Sequence, residues 1–379
     1  MTVASSPLKV TFILPAFYRN GAVNVYVSVA ERAACHNIAS EFLVLRECER
    51  HAPLPQAPVK HEIVLKEHQS TLSGLPKLLY KMVRSIMSAD VVVYTWENGI
   101  LIPGIIAYIL RKPTVAVVQN NFQRVSEQNE KRERERKIRR WVYNRCKAIV
   151  CAGSGLISTI EPGIARDKVT SIQNGTDIEK VRRLAKDPCT HQVAALVKND
   201  VPYIIGVGRL SDQKGFDVLI KAHADAVDQG RWHRLVLVGE GEKKDELLAL
   251  VEKLGVADSV VFLGFLDNPY PAIAHASLFC LSSRYEGFAL VGSEAAALGV
   301  PTVATNCVAG PKELLEDGKY GDLVEVDDVE GLSAAIQRHF ENPQRLMDKA
   351  KASAQAAERL SLTFSAARYS ELFHQYAKR

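Results

Sequence analysis

Residues 282–305 read SSRYEGFALVGSEAAALGVPTVAT, and the fold is decided by this stretch. An apolar run ends at Leu281, a short loop passes through Glu286, Gly287 and Phe288, and a helix is expected to begin near Leu290. The first amides of a helix have no partner inside it, and the helix dipole favours an anion in front of them. Glu286 stands in the loop, and Glu294 lies eight residues on, inside the helix. Two carboxylates so placed can each accept hydrogen bonds from hydroxyls, one set on a sugar ring and one on a ribose. A glutamate in such a helix also reads as a solvent-facing charge, although the apolar sequence on both sides weakens that reading.

The same strand–loop–helix unit recurs outward in both directions. Short β-branched runs at 10–14, 42–45, 62–65, 91–94, 114–118, 148–151 and 169–172 alternate with helical stretches such as 75–87 and 127–146. The pattern restarts at 203–207 and continues through 235–238, 260–263, 277–281, 302–304 and 322–326. Apolar strands separated by helices predict parallel sheets covered on both faces. A chain of 379 residues exceeds one ordinary core and suits two. The expected architecture is therefore α/β: two Rossmann-like, doubly wound domains facing across a cleft. The first is expected over residues 1–187 and the second over 188–362, with a C-terminal helix at 363–379 crossing back to the N-terminal domain. Ligands of such folds bind beyond the carboxyl ends of the strands.

A second stretch, GVGRLSDQKGFDVLI at 206–220, follows a strand and opens a helix. Gly206 and Gly208 permit close backbone approach, and Arg209 and Lys214 place two cations beside the turn. A diphosphate carries the charge such a pair would neutralise. The alternative is a dinucleotide turn of the oxidoreductase type, but the match to GxGxxG is poor.

Charge is unevenly distributed. Residues 1–183 carry 27 Lys and Arg against 16 Asp and Glu, and the remainder carries 21 against 27. A basic half fits a phosphorylated acceptor, an anionic membrane or nucleic acid, or is simply a solvated excess. In NEKRERERKIRRW, 129–141, Arg132, Arg136 and Arg140 share one helical face that could meet a lipid headgroup. The favourable i,i+4 pairs of the same run also fit a salt-bridged solvated helix. The N-terminus lacks a basic signal-peptide region, and the apolar stretch 100–110 is too short to span a bilayer. Any membrane contact is thus expected to be peripheral, with the chain in the cytoplasm. Seven cysteines show no Cys-x-x-Cys spacing, and Cys35, Cys146, Cys151 and Cys280 read as buried thiols. His51, His61 and His68 offer no ligand geometry, and no two aspartates stand two apart as a metal-holding Asp-x-Asp would require.

Residues 203–326 resemble the donor-binding domain of glycosyltransferase family 4, retaining enzymes of GT-B architecture. The resemblance is carried by GVGRLSDQKGFDVLI, LVGEGEKKDELLALVEKLGVADSVVFLGF, SSRYEGFALVGSEAAALGVPTVAT and GPKELLEDGKYGDLV. Glu286 and Glu294 match the family's Glu-x7-Glu motif. The resemblance implies a retaining hexosyl- or N-acetylhexosaminyltransferase using a nucleotide diphosphate sugar, a UDP-sugar by family tendency. It implies a lipid-linked or polysaccharide-precursor acceptor, with no metal, no cofactor and no nucleic acid. Arg209, Lys214 and Glu286 would be catalytic. Gly208, Gly287, Phe288, Ala289 and Leu290 would hold sugar and diphosphate, Glu294 the ribose, and Gly264 with Phe265 the base. In the N-terminal half, NGAVNVYVSVAERA at 20–33 is similar to the family's Gly-Gly turn, which makes Gly21 and Ala22 donor contacts, Ala22 replacing the second glycine. Asn24 would face the acceptor, as would Asn120 and Asn121, which stand in Gln119-Asn120-Asn121 where many members carry a histidine. A soluble phosphorylated acceptor, or a nucleotide-sugar-binding subunit without turnover, are the competing expectations.

Overall fold

The computed structural model describes residues 6–17, 21–48, 55, 58–95, 100–121, 133–198, 201–230 and 232–377. The chain forms two compact units, one comprising Met1–Gly175 with Leu362–Arg379 and the other Thr176–Ser361.

The first unit contains β1 (Leu8–Leu14), β2 (Ile38–Arg46), β3 (Lys60–Leu65), β4 (Val91–Tyr94), β5 (Thr114–Val118), β6 (Ala148–Cys151) and β7 (Val169–Ser171). They form one sheet in the order β3-β2-β1-β4-β5-β6-β7, and all neighbours run parallel. The central strands are buried on both faces, which explains their unbroken Val and Ile runs. The order reverses between β1 and β4. With right-handed crossovers, helices on either side of that reversal cover opposite faces. The helix Gly21–Ala33 lies on one face, where the C-terminal helix Leu362–Ala377 packs beside it. Phe373 of that last helix is fully buried edge-on against Phe12, 6.0 Å between ring centres. The helices Thr71–Ser88, Leu101–Ile109 and Glu133–Tyr143 form a layer on the other face, each packed on the next. Gly104 makes the last of these contacts close, since a Cβ there would stand 2.3 Å from Val142.

The second unit contains β8 (Tyr203–Val207), β9 (Arg234–Val238), β10 (Val260–Gly264), β11 (Leu278–Leu281), β12 (Thr302–Thr305) and β13 (Asp322–Val324). Their order, β10-β9-β8-β11-β12-β13, is again parallel throughout. The reversal here lies between β8 and β11, the strands that lead into the two stretches quoted above. Residues 176–187, placed in the first domain by the sequence reading, sit in the second unit. Ile178 and Val181 of the helix Ile178–Leu184 pack against Ala297, and Arg182 donates to the carbonyls of Ala297 and Ala354 at 3.0 and 2.8 Å. That guanidinium caps the last turn of Leu290–Leu298, where a cation also complements the helix dipole.

Cys146, Cys151 and Cys280 are buried, and so is Cys307, but Cys35 is exposed. Cys35 falls in the single 3₁₀ turn Ala34–His36 that ends the first helix, none of whose residues is buried. Burial pushes the Cys146 thiol up to about 11 and the Cys307 thiol to about 12, so both stay protonated. The Arg132/Arg136/Arg140 face also differs from expectation. Arg132 lies outside the described residues, and Arg136 and Arg140 fold onto the buried Glu161 carboxylate at 2.7 and 3.0 Å. These two cations therefore serve a tertiary contact.

Candidate functional site

The site grows from the reversal between β8 and β11, where the connections leaving the two paired strands run in opposite directions and leave room above their carboxyl ends. Leaving β8, the chain passes Gly208 and Arg209 and makes a tight turn over 211–215. Gly215 ends the turn at φ 59°, and a Cβ there would stand 2.2 Å from the Ser282 carbonyl oxygen. Gly208 leaves space of a different kind, since a Cβ would stand 2.9 Å from Lys214 Cε. The Lys214 side chain runs over the bare Gly208 backbone toward the second loop.

Leaving β11, the chain passes Ser282 to Phe288 and enters the helix Leu290–Leu298. Lys214 Nζ donates to Glu286 Oε1 at 2.6 Å, and the Ser283 hydroxyl donates to the same oxygen at 2.6 Å. Glu286 is 6% exposed. Its Oε2 accepts no hydrogen bond among the described residues and is open to an incoming hydroxyl. Arg209 is exposed and forms no ion pair among the described residues. One cation is thus already shared with a carboxylate, and one is available in full to an anion.

Arg284 joins the two loops. It reaches Asp217 at 2.8 Å, Asp327 at 2.7 Å and the Asp212 carbonyl at 2.8 Å. Burial alone would raise the Asp217 carboxyl, but the Arg284 guanidinium holds it below its ordinary value. Gln213 adds a bond to the Tyr285 carbonyl at 3.0 Å. With the loops fixed, Lys214 and Glu286 meet without a search for geometry.

The helix start has the form expected of an anion site. The amides of Leu290 and Val291 donate to no group among the described residues. Ala289 enters the helix in the left-handed region, φ 61° and ψ 58°, a conformation that costs an alanine about 1–2 kcal/mol. Strain of this kind collects at functional turns. Ala289→Gly is expected to raise stability by roughly 0.5–1 kcal/mol, the relief less the extra chain entropy of glycine, read from the denaturant midpoint. Gly310 supports the turn from behind at φ 93°, where a Cβ would stand 3.0 Å from the Phe288 carbonyl carbon.

Glu294 lies one helical turn further in and accepts a hydrogen bond from the Tyr270 hydroxyl at 3.1 Å. Burial pushes its carboxyl up to about 7, against the lowering effects of Tyr270 and Lys180. At the end of β10, Gly264 takes φ 70°, and Phe265 after it is 50% exposed. The Gly264 carbonyl accepts from Gly239 N at 2.8 Å, which ties the turns after β9 and β10 together.

The structure thus gathers Gly208, Arg209, Lys214, Glu286, Gly287, Phe288, Ala289, Leu290, Glu294, Gly264 and Phe265 at one end of the second sheet. Ser283, Arg284, Gly239, Gly310 and Tyr270 belong with them, and the sequence reading assigned none of them a role. Arg284, Gly239, Gly310 and Tyr270 act through atoms of distant segments, and Ser283 through Glu286 in its own loop.

The remaining predicted residues lie in the first unit. Gly21 and Ala22 open the helix after β1, with Gly21 exposed and Ala22 half-buried. Asn24 is exposed on its first turn and Asn120 is exposed after β5, whereas Asn121 is buried and already engaged. Gln119 and Asn174 exchange side-chain amide bonds of 2.7 and 3.3 Å. Among the described residues no group of three His, Cys, Asp or Glu is placed to hold a metal ion, and no helix is long and apolar enough to cross a membrane.

Comparison with known proteins adds relatives to this geometry. The family model described as "Glycosyl transferases group 1" matches residues 190–359, and that of "Glycosyltransferase Family 4" matches residues 19–180. The chain is 32% identical over 209 residues to the N-acetylgalactosamine-N,N'-diacetylbacillosaminyl-diphospho-undecaprenol 4-alpha-N-acetylgalactosaminyltransferase of Campylobacter jejuni, 54% of each chain. It is 31% identical to the lipopolysaccharide core biosynthesis glycosyltransferase LpsE of Rhizobium meliloti, over 52% of this chain and 54% of that one. The match spans about half the length of these curated relatives. Among solved structures, HepE of Anabaena in complex with UDP-glucose is similar with a TM-score of 0.82, 21% identity, and coverage of 97% of this chain and 100% of that one.

Proposed function

The chain belongs to glycosyltransferase family 4, enzymes of GT-B architecture, and from that premise we propose that it is a retaining transferase. It moves a sugar from a UDP-sugar to a lipid-linked or polysaccharide-precursor acceptor. One observation carries the reading: two cations, an open carboxylate oxygen, a helix start with free amides and a second carboxylate meet at the reversal of one sheet. A nucleotide diphosphate sugar presents the matching groups in the matching order. UDP-glucose is bound by the similar Anabaena protein, and the C. jejuni relative is named for a diphospho-undecaprenol substrate.

In this reading Arg209, Lys214 and the amides of Leu290 and Val291 bind the diphosphate. They stabilise the charge that grows on it as the bond to the sugar breaks. Glu286 Oε2 takes a sugar hydroxyl, and Glu294 takes the ribose. The acceptor hydroxyl attacks the anomeric carbon from the face the diphosphate leaves, and a departing phosphate oxygen accepts its proton. No protein base is needed, which suits Gln119-Asn120-Asn121, whose amides donate and accept but do not titrate. The acceptor falls to the first unit, with Asn24, Asn120 and Asn121 as its contacts, and Gly21 and Ala22 are assigned to the donor. Side-chain cations do what a metal does elsewhere, so turnover is metal-independent. The test is a panel of UDP- and GDP-sugars in EDTA, scored for slow hydrolysis and for the anomer released. Sugar-specific hydrolysis of one UDP-sugar with the α anomer kept supports the reading. A requirement for divalent metal, or an inverted product, overturns it.

Glu294 makes the donor site sensitive to pH. With its carboxyl up near 7, it is half protonated at neutral pH. Ribose hydroxyls donate to the anion and favour it, so UDP binding releases about half a proton at pH 7. Affinity therefore rises as pH climbs toward 7 and levels off above it. Calorimetry in buffers of different ionisation enthalpy reads the release directly. Glu294→Gln, which leaves the phosphate's own titration in place, removes the protein's share.

A further inference from the structure

We propose that the three-helix layer of the first unit is a docking face for an anionic lipid bilayer. The first unit exposes twelve large apolar side chains among its described residues, and ten of them lie on the helices Thr71–Ser88, Leu101–Ile109 and Glu133–Tyr143. Leu72 is 86% exposed, Ile109 70% and Tyr80 61%. On the middle helix, Ile102, Ile105, Tyr108 and Ile109 recur at helical spacing on one outward stripe, while Pro103, Gly104 and Ala107 are buried, Gly104 against Val142 of the third helix. Apolar side chains gathered in this way on neighbouring helices mark an interaction surface.

The charge on the same elements identifies the partner. Residues 71–89 and 100–121 contain five Lys and Arg and no Asp or Glu, and residues 133–143 contain five Lys and Arg and two Glu. Arg84 shares a shallow depression with Tyr80 and Met87 and makes no ion pair among the described residues. Arg111 follows the middle helix directly and is exposed. Arg145 lies over the rings of Trp141 and Tyr108, 3.9 and 5.2 Å from their centres, which places a cation above two amphipathic aromatics. Leucine and isoleucine with interleaved arginine and interfacial tyrosine and tryptophan is the composition of an element lying in the headgroup region. A second copy of the chain fits poorly. A two-fold interface would set this net-positive face against itself, with ten Lys and Arg on its three elements and two Glu to neutralise them. An anionic bilayer supplies both the counter-charge and the apolar phase.

The proposal deepens the reading of a lipid-linked acceptor, since a face docked on lipid would bring the first unit to such an acceptor. Its test needs neither donor nor acceptor, so its failure leaves the transfer reading standing. The full chain is floated with vesicles of phosphatidylcholine alone and with about 30% phosphatidylglycerol, the latter also at high salt. It is expected to float with the anionic vesicles only, and high salt is expected to release it. The double variant Leu79→Glu, Ile109→Glu is expected to bind about 100-fold more weakly, roughly tenfold for each apolar side chain withdrawn and charged. UDP binding, read in the other unit, should not change, which shows the variant is folded. Arg84→Glu provides a milder second variant, with about a fivefold loss expected. Trp232→Glu, an exposed apolar site in the second unit, should change nothing. Wild type that ignores anionic vesicles, or variants that still float while a dimer dissociates, would assign the face to another partner.

Discussion

Lys214→Ala is expected to lower kcat/KM for the donor by about 10²–10³-fold, with most of the loss in kcat. The reason is where Lys214 stands. Its Nζ is 2.6 Å from Glu286 Oε1, so one ammonium lies between the carboxylate read as the sugar contact and the turn read as the diphosphate contact. Removing it costs the site a charge that matters most when the diphosphate departs, and this appears in kcat rather than KM. It also leaves Glu286 with Ser283 alone, so some stability is lost as well. Lys214→Arg separates the two effects. It restores the charge but lacks the room that Gly208 gives a lysine stem, so it is expected to recover stability and rate each in part. A variant folded like wild type and turning over at the wild-type rate would remove Lys214 from the mechanism.

Gly239→Ala is expected to be as severe through the backbone alone. Gly239 follows β9 at φ 140°, and a Cβ there would stand 1.9 Å from the Gly208 carbonyl oxygen and 2.9 Å from its carbon. Both are main-chain atoms, so no side-chain rotation relieves the contact. The turns after β8 and β9 are stitched by Gly208 N to Val238 O and Leu210 N to Glu240 O, both 2.9 Å. They would have to part, and Arg209 lies between those bonds. The expected cost is about 2–4 kcal/mol in the denaturant midpoint, with UDP affinity falling at least tenfold in the fraction that folds. Unchanged stability would show that the close approach is not required.

How far the sequence reached depended on whether a feature was local. The strands at Val91–Tyr94, Thr114–Val118, Ala148–Cys151 and Tyr203–Val207 fall where their apolar runs predict, because a buried parallel strand is written in consecutive residues. The helix start at Leu290 was legible for the same reason. The domain boundary was not. Residues 176–187 look like the end of the first sheet's pattern, and only the packing of Val181 and the Arg182 cap shows which core they join. The site follows the same rule. Arg209, Lys214, Glu286 and Glu294 have motif spacing, whereas Arg284 acts through Asp212, Asp217 and Asp327, which no local pattern links to it. The partner of Arg136 and Arg140 was not legible for the complementary reason. Helical spacing puts them on one face, but Glu161, which claims them, is more than twenty residues away. Cys35 sits in apolar sequence yet at a turn, so its neighbours in the chain do not bury it.

Hydrogen–deuterium exchange of the full chain with and without saturating UDP tests the central claim most directly, because it reports where a donor nucleotide is felt. Slowed exchange confined to the amides of 208–215 and 286–294, with a smaller effect near 264–265, is the expected result. Protection elsewhere in the chain with none in these turns, or no protection at any concentration of UDP, would contradict the donor site and the function built on it.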